Sequence, residues 1–165
     1  GASNFSAEQH AEAAAISKQR GLVRYESEQP EYNLYARETF EGALQDFCVK
    51  NEVGVIPYFA LAAGFLTGKY RSEADFDKSP RGARMGKYLD ARGKNILAAM
   101  DRVAAESGAS LAEIALAWLN AQPGITAPIA SATSIEQLRS LVRGARLQLS
   151  TEQLQALTAA GKQAG

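Results

Sequence analysis

The sequence predicts a parallel α/β fold, and three observations carry that prediction. Ser6, Ser110, Ser134 and Ser150 each stand three residues ahead of a Gln or Glu (Gln9, Glu113, Gln137, Gln153), the spacing with which a capping box opens a helix. Between the helices lie short apolar or alternating segments that end on turn-forming residues and read as strands. Strand and helix alternate with short turns, the order that lays a parallel sheet under helices.

In chain order, Gly1-Ala2-Ser3-Asn4-Phe5 is the end of a first strand that is nearly cut off. A helix runs from Ser6 to about Arg20 and stops at Gly21, with Ala11, Ala14 and Ala15 as its apolar residues. Val23, Tyr25 and Ser27 alternate against charged residues, which predicts a strand over 22–29, closed by Gln29-Pro30. After a loop over 31–37, Phe40, Ala43, Leu44, Phe47 and Cys48 recur at helical spacing, and Asn51 closes that helix. The apolar run 53–58 is the next strand. Residues 71–93 form a long polar loop, of the kind that is functional or disordered in compact domains. A helix over 95–107 follows, then one from Ser110 to Asn120 that carries Trp118, the turn Pro123-Gly124, a strand over 125–130, and two final helices opened by Ser134 and Ser150.

The 165 residues suffice for one domain with a core. Eighteen Lys and Arg balance eighteen Asp and Glu, so neither nucleic acid nor an acidic membrane is expected as a partner. No apolar run has the length of a membrane span, and no signal-peptide pattern opens the chain. Position 1 is Gly rather than Met and reads as an interior cut. Cys48 is the single cysteine, which excludes an internal disulfide and fits a reducing, cytoplasmic setting. One His, one Cys and scattered carboxylates make no metal-ligand cluster.

The stretch Tyr58 to Tyr70, YFALAAGFLTGKY, is the first candidate for a site. It leaves a buried strand through small residues (Ala60, Ala62, Ala63, Gly64), which let backbone N–H groups approach a ligand closely. It ends on Lys69, a mobile positive charge suited to phosphate, with the flat ring of Tyr58 beside it. The pattern suggests a nucleotide; the plainer reading is an ordinary strand-to-loop junction. Ser3, Asn4, Gln29, Tyr58 and Ser131 all fall at C-terminal strand ends, where such folds gather binding groups.

Other residues have quieter readings. His10 is expected as a packed or surface side chain, and Cys48 as a small core residue. Glu26 and Glu28 share a strand face and are expected to be solvated or salt-bridged; with Glu31 they invite an acid–base role less well. Arg81, Arg84, Lys87 and Arg92 either clamp phosphate or form a solvated basic surface.

Five segments, GASNF at 1–5, EQPEYNLY at 28–35, GVIPY at 54–58, GFLTGKY at 64–70 and PIASATSIEQL at 128–138, together resemble the aldo-keto reductases. The branch resembled is the bacterial one that is itself similar to the potassium-channel β subunits. The resemblance covers essentially the whole chain and implies the C-terminal half of a (β/α)8 TIM barrel, a fold of about 250 residues when complete. The family's catalytic Asp, Tyr, Lys and His lie in the other half, so no catalytic residue is expected here.

What the resemblance carries over is coenzyme binding. It implies that Ser3, Asn4 and Gln29 hold the nicotinamide carboxamide and that Tyr58 stacks on its ring. Leu61, Ala63, Gly64 and Lys69, with Arg81 further along, wrap the pyrophosphate. Ser131, Thr133 and Gln137 reach the adenosine end beside a helix N-terminus. Thr133 stands where many members have a basic residue nearby for the 2′-phosphate, Ser131 where Gly is common, and Ser140 and Leu141 where Glu and Asn are usual. The expected coenzyme is NADP(H), with NAD as the alternative. The expected partners are a small carbonyl substrate and the N-terminal half of the barrel. The rival expectations are a non-catalytic nucleotide-binding half-barrel that needs a partner or a second copy, and a remnant that does not fold stably.

Overall fold

The computed structural model of the protein describes residues 1–78 and 82–162. Its sheet has three short parallel strands in sequence order, β1 (Ala2–Ser3), β2 (Ser27–Gln29) and β3 (Gly54–Val55). Ser3 lies opposite Gln29, and Glu28 is opposite both Ala2 and Val55. Single bridges pair Glu31 with Tyr58 and Val55 with Ile125. The helices are α1 (Ala7–Arg20), α2 (Ala43–Lys50), α3 (Ala91–Ser107), α4 (Leu111–Asn120), α5 (Ile135–Arg146) and α6 (Thr151–Ala160). None of the described helices is long and apolar enough to cross a membrane.

The capping spacings mark real helix starts. Ser6, Ser110 and Ser150 form reciprocal boxes with Gln9, Glu113 and Gln153. Ser134 caps the Gln137 N–H, but the Gln137 side chain turns instead to Thr133, accepting from its N–H at 2.8 Å and its hydroxyl at 3.1 Å.

The strands are shorter than expected. Over 22–29 only Ser27–Gln29 is a strand, because β1 offers just two residues to pair with. Leu22 and Val23 are 60% and 95% exposed, and Arg24 turns sideways to Glu26 and the Asn51 carbonyl. Over 53–58 the ladder is Gly54–Val55 with the bridge at Tyr58. Residues 125–130 make a single bridge at Ile125 and no strand: the donors Thr126 and Ile129, which reach the Val55 and Pro57 carbonyls, are three residues apart, which is not the alternate-residue rhythm of a ladder. The expected helix at 95–107 starts at Ala91 instead, because Asp90 accepts from the Gly93 N–H at 2.7 Å. The described parts of the polar segment ahead of it hold short 3₁₀ turns at Glu73–Lys78, Gly82–Arg84 and Gly86–Tyr88, and bury Met85 and Tyr88. The alanines of α1 cover little: His10 is its buried residue, and Ile16 is 40% exposed.

The core is anchored on Trp118 of α4, which is fully buried and packs on Tyr32 with ring centroids 5.6 Å apart. Its indole N–H donates to the Thr158 hydroxyl on α6 at 2.9 Å. Arg37 lies over the same indole, donates to the Thr158 carbonyl and pairs with Glu41, which also accepts from the Tyr32 hydroxyl. This knot ties the segment after β2 to α4 and α6. Helix α5 lies directly on α4 because Gly144 has no side chain; a Cβ there would stand 2.9 Å from the Glu113 Cα.

Truncating Trp118 to Ala is expected to lower the unfolding free energy by about 3–5 kcal/mol. Thr158→Val, which strands a buried indole N–H, is expected to cost roughly 1–3 kcal/mol. Urea denaturation of the two variants reads both.

Candidate functional site

The parallel register sets the first part of the site. Strands running the same way end on the same rim, and Ser3, Gln29 and Tyr58 lie at three adjacent ends. Asn4 follows with φ 58°, a left-handed conformation that Asn tolerates. The Ser3 hydroxyl donates to the Gln29 carbonyl at 3.0 Å, the Asn4 amide to the Ser3 oxygen at 3.3 Å, and the Tyr58 hydroxyl to Asn4 Oδ1 at 3.0 Å. The Gln29 side chain makes no hydrogen bond among the described residues. A chain of amides and hydroxyls is thus fixed at the rim, with one amide free to meet a ligand.

The second part follows from Tyr58. Phe59, Ala62 and Ala63 have φ of 53°, 47° and 55°, and Gly64 has φ 104°. Left-handed backbone is costly for residues with a Cβ and persists where the surroundings enforce it. Here Asn33, fully buried, donates to the Phe59 carbonyl at 3.0 Å while its Oδ1 accepts from the Tyr35 and Ala36 N–H groups. Asn33 is a support that motif reading missed; an Asn set among apolar residues after a strand was its only signal. The turn is closed by its own backbone: the Ala62 N–H donates to the Phe59 carbonyl at 2.7 Å and the Gly64 N–H to the Leu61 carbonyl at 2.8 Å. Lys69 folds back over this turn, so that a Cβ on Gly64 would lie 3.5 Å from its Cε and 3.7 Å from its Nζ. No carboxylate among the described residues pairs with that ammonium, which lies 4.9 Å over the Tyr70 ring.

A cavity of about 650 Å³ opens beside the turn. Five of the expected residues line it: Leu61, Lys69, Ser131, Thr133 and Gln137. Thr67, Ser110, Ala112, Ser140 and Leu141 complete the wall, and Lys69 is its one cation among the described residues. Ser110 reads in the sequence only as a helix cap, which hides its place in this wall. Ala63 and Gly64 shape the turn without lining the cavity. Arg81 lies outside the described residues. Arg92 does not face the cavity: it pairs with Glu38 at 2.7 Å, donates to the Gly161 carbonyl and lies over Tyr35.

The family model described as Aldo/keto reductase family matches residues 1–162. This chain belongs to the aldo/keto reductase family. A probable voltage-gated potassium channel subunit beta from Oryza sativa is 30% identical over 84% of this chain and 44% of its own length. An L-glyceraldehyde 3-phosphate reductase from Escherichia coli O157:H7 is 35% identical over 76% of this chain and 38% of its own length. An uncharacterised oxidoreductase from Bacillus subtilis is 32% identical over 95% and 47%. The chain therefore spans less than half the length of these curated relatives.

In this aldo/keto reductase chain the cavity wall rests on Glu113. The Ser140 hydroxyl and Arg143 donate to its Oε1 at 2.9 and 2.8 Å, and the Ser110 N–H donates to Oε2 at 3.0 Å. Burial, the largest single influence, raises the Glu113 pKa; the three donors together outweigh it and hold the carboxyl below the ordinary glutamate value of 4.5. A depressed pKa stabilises the fold fully above the ordinary value, and that contribution is lost as pH falls through the folded one. Behind the rim, burial pushes the Cys48 thiol up to about 11, with the Glu28 charge adding to it, which fits a small core residue and not a reactive thiol. Glu26 is exposed and paired with Arg24, whereas Glu28 is fully buried.

Glu113→Gln is expected to cost roughly 1–3 kcal/mol at neutral pH. It should also flatten the loss of stability as pH falls below the ordinary glutamate value of 4.5. Thermal melting across that range checks both.

Proposed function

We propose that residues 1–165 form one domain, the coenzyme-binding C-terminal half of an NADP(H)-dependent aldo-keto reductase, and that the complete (β/α)8 barrel reduces aldehydes or ketones. The observation that carries this reading is the junction at Tyr58. One side of it is the rim cluster of Ser3, Asn4 and Gln29; the other is the left-handed turn and the cavity holding Lys69.

The donor set fits a nicotinamide dinucleotide. A carboxamide needs donors and acceptors together, which Asn4 and Gln29 amides offer. The small residues of the turn, Ala62, Ala63 and Gly64, with Lys69, which has no carboxylate partner among the described residues, suit a pyrophosphate. Hydroxyls at Ser131 and Thr133 with Gln137 suit a ribose and its substituents. The bound coenzyme supplies the hydride, and these residues hold and orient it. The tyrosine that protonates the carbonyl oxygen belongs to the other half. NADPH is the preferred coenzyme and NADH the alternative.

Open edges support a barrel completed by the N-terminal half. The outer side of β1 is unpaired among the described residues, and Ile129, Ile135, Leu138 and Val142 are 44–71% exposed around 125–142. Such edges and faces are normally covered. A neutral overall charge and the single buried thiol accompany a cytoplasmic enzyme that binds neither nucleic acid nor membrane. A second reading is a nucleotide-binding or regulatory half-barrel without turnover, in which a partner or a second copy covers the open edge of β1.

In the complete protein, Lys69→Ala is expected to weaken NADPH binding about 10- to 100-fold, the loss of a charge-assisted contact. Tyr58→Ala is expected to weaken it about 5-fold through lost stacking. Fluorescence titration measures both, with NADH alongside. Unchanged affinity in the two variants would overturn the reading, and coenzyme binding without any carbonyl reduction would favour the second one.

A further inference from the structure

Glu28 is fully buried and His10 is 2% exposed. Glu28 Oε2 and His10 Nε2 face each other at 3.3 Å, close enough for charge attraction yet misaligned for a hydrogen bond, and both atoms lack any hydrogen-bond partner among the described residues. Three aromatic rings close around the imidazole: Phe47, Phe5 and Tyr25, with centroids at 5.2, 5.9 and 6.2 Å. A carboxylate removed from water in this way is tolerated only with a partner. Neither residue takes part in the coenzyme contacts described above, so the pair needs another explanation.

Its other oxygen supplies one. Glu28 Oε1 accepts from the Phe5 N–H at 3.2 Å. The neighbouring residue of β2, Gln29, accepts from the Ser3 hydroxyl through its carbonyl at 3.0 Å. These two bonds from consecutive residues of β2 grip the residues on either side of Asn4, whose left-handed φ of 58° would otherwise relax. Alternation along β2 sends Glu28 and Gln29 to opposite faces of the sheet. Glu28 thus holds the turn from the helix side while Gln29 stands on the rim. His10, one turn into α1, compensates the carboxylate that makes this grip.

The geometry points to His10 and Glu28 as positioning residues: the buried pair sets how Asn4 and Gln29 present their amides to the ring end of the coenzyme. The inference rests on the coenzyme reading above. It assigns the pair to one end of the ligand only, because neither His10 nor Glu28 lines the cavity that holds Lys69.

The test uses the complete protein carrying His10→Leu, and the double variant His10→Leu/Glu28→Gln. Two ligands are titrated, NADPH and its ring-free fragment 2′-phospho-ADP-ribose. His10→Leu is expected to weaken NADPH about tenfold by leaving a buried charge uncompensated, with the fragment changed less than about twofold. The double variant should return NADPH to within about threefold of the parent, because a neutral amide still accepts from Phe5 and needs no partner charge. Equal weakening of both ligands, unaltered NADPH affinity, or failure of the double variant to recover would overturn the positioning role. If His10→Leu does not fold, His10→Asn, whose shorter amide does not reach the position of Nε2, reads the same split, and equal or absent loss again overturns it. A parent that binds neither ligand defeats the coenzyme reading itself, and this inference falls with it; a parent that binds both while the variants show no split defeats the inference alone.

Discussion

Three strands of two or three residues each hold the sheet, and they run parallel in sequence order. Parallel pairing is the constraint on which the candidate site depends. It brings residues 3, 29 and 58 to one rim although they are separated by about one helix and two turns of chain at each step. It also sends the two return paths between these strands through α1 and α2, while the residues that follow the strands gather at the rim. Slipping β2 by one residue would put Glu28 on the rim and Gln29 among aromatic rings. The buried Glu28 carboxylate, which accepts from the Phe5 N–H and faces His10, makes that exchange costly.

With so little ladder, side-chain contacts carry much of the cohesion. Trp118, Tyr32 and Phe40 pack into one aromatic group, and Arg37 closes it by reaching the Thr158 carbonyl at 2.6 Å. A buried guanidinium is tolerated here because Glu41 takes two of its N–H groups and the indole face takes its plane. The same group anchors α6, whose sequence alone, mostly polar with a few leucines, gives little reason to dock at that place.

The turn after β3 shows local strain placed where a ligand would gain from it. Phe59, Ala62 and Ala63 are all left-handed without being glycine. A fully buried Asn33 holds the first of them through its side-chain amide, from a loop one strand away. The turn closes on itself, Ala62 and Gly64 donating to the Phe59 and Leu61 carbonyls, and over Gly64 it carries an ammonium that no carboxylate among the described residues pairs, a positive charge held in place before any ligand arrives.

By itself the sequence determined the helix starts, since a Ser-to-Gln or Ser-to-Glu spacing is a local hydrogen-bond pattern that needs no distant partner. It also determined the parallel α/β class and, through several short motifs in order, the family. The left-handed turn was legible as a run of small residues, though not that Phe59, Ala62 and Ala63, rather than glycines, bear most of its positive φ. Strand lengths were not legible: a strand ends where its neighbour ends, so 22–26 and 126–130 read as strands and are not. The start of α3 at Ala91 was hidden because Asp90 is followed by Arg, Gly and Lys, with no apolar rhythm until Ile96. His10 read as a packed or surface side chain and Glu28 as a solvated or salt-bridged strand charge. Only the packing of α1 against β2 decided that they face each other in a dry aromatic pocket, because burial depends on what covers a residue and not on the residue itself.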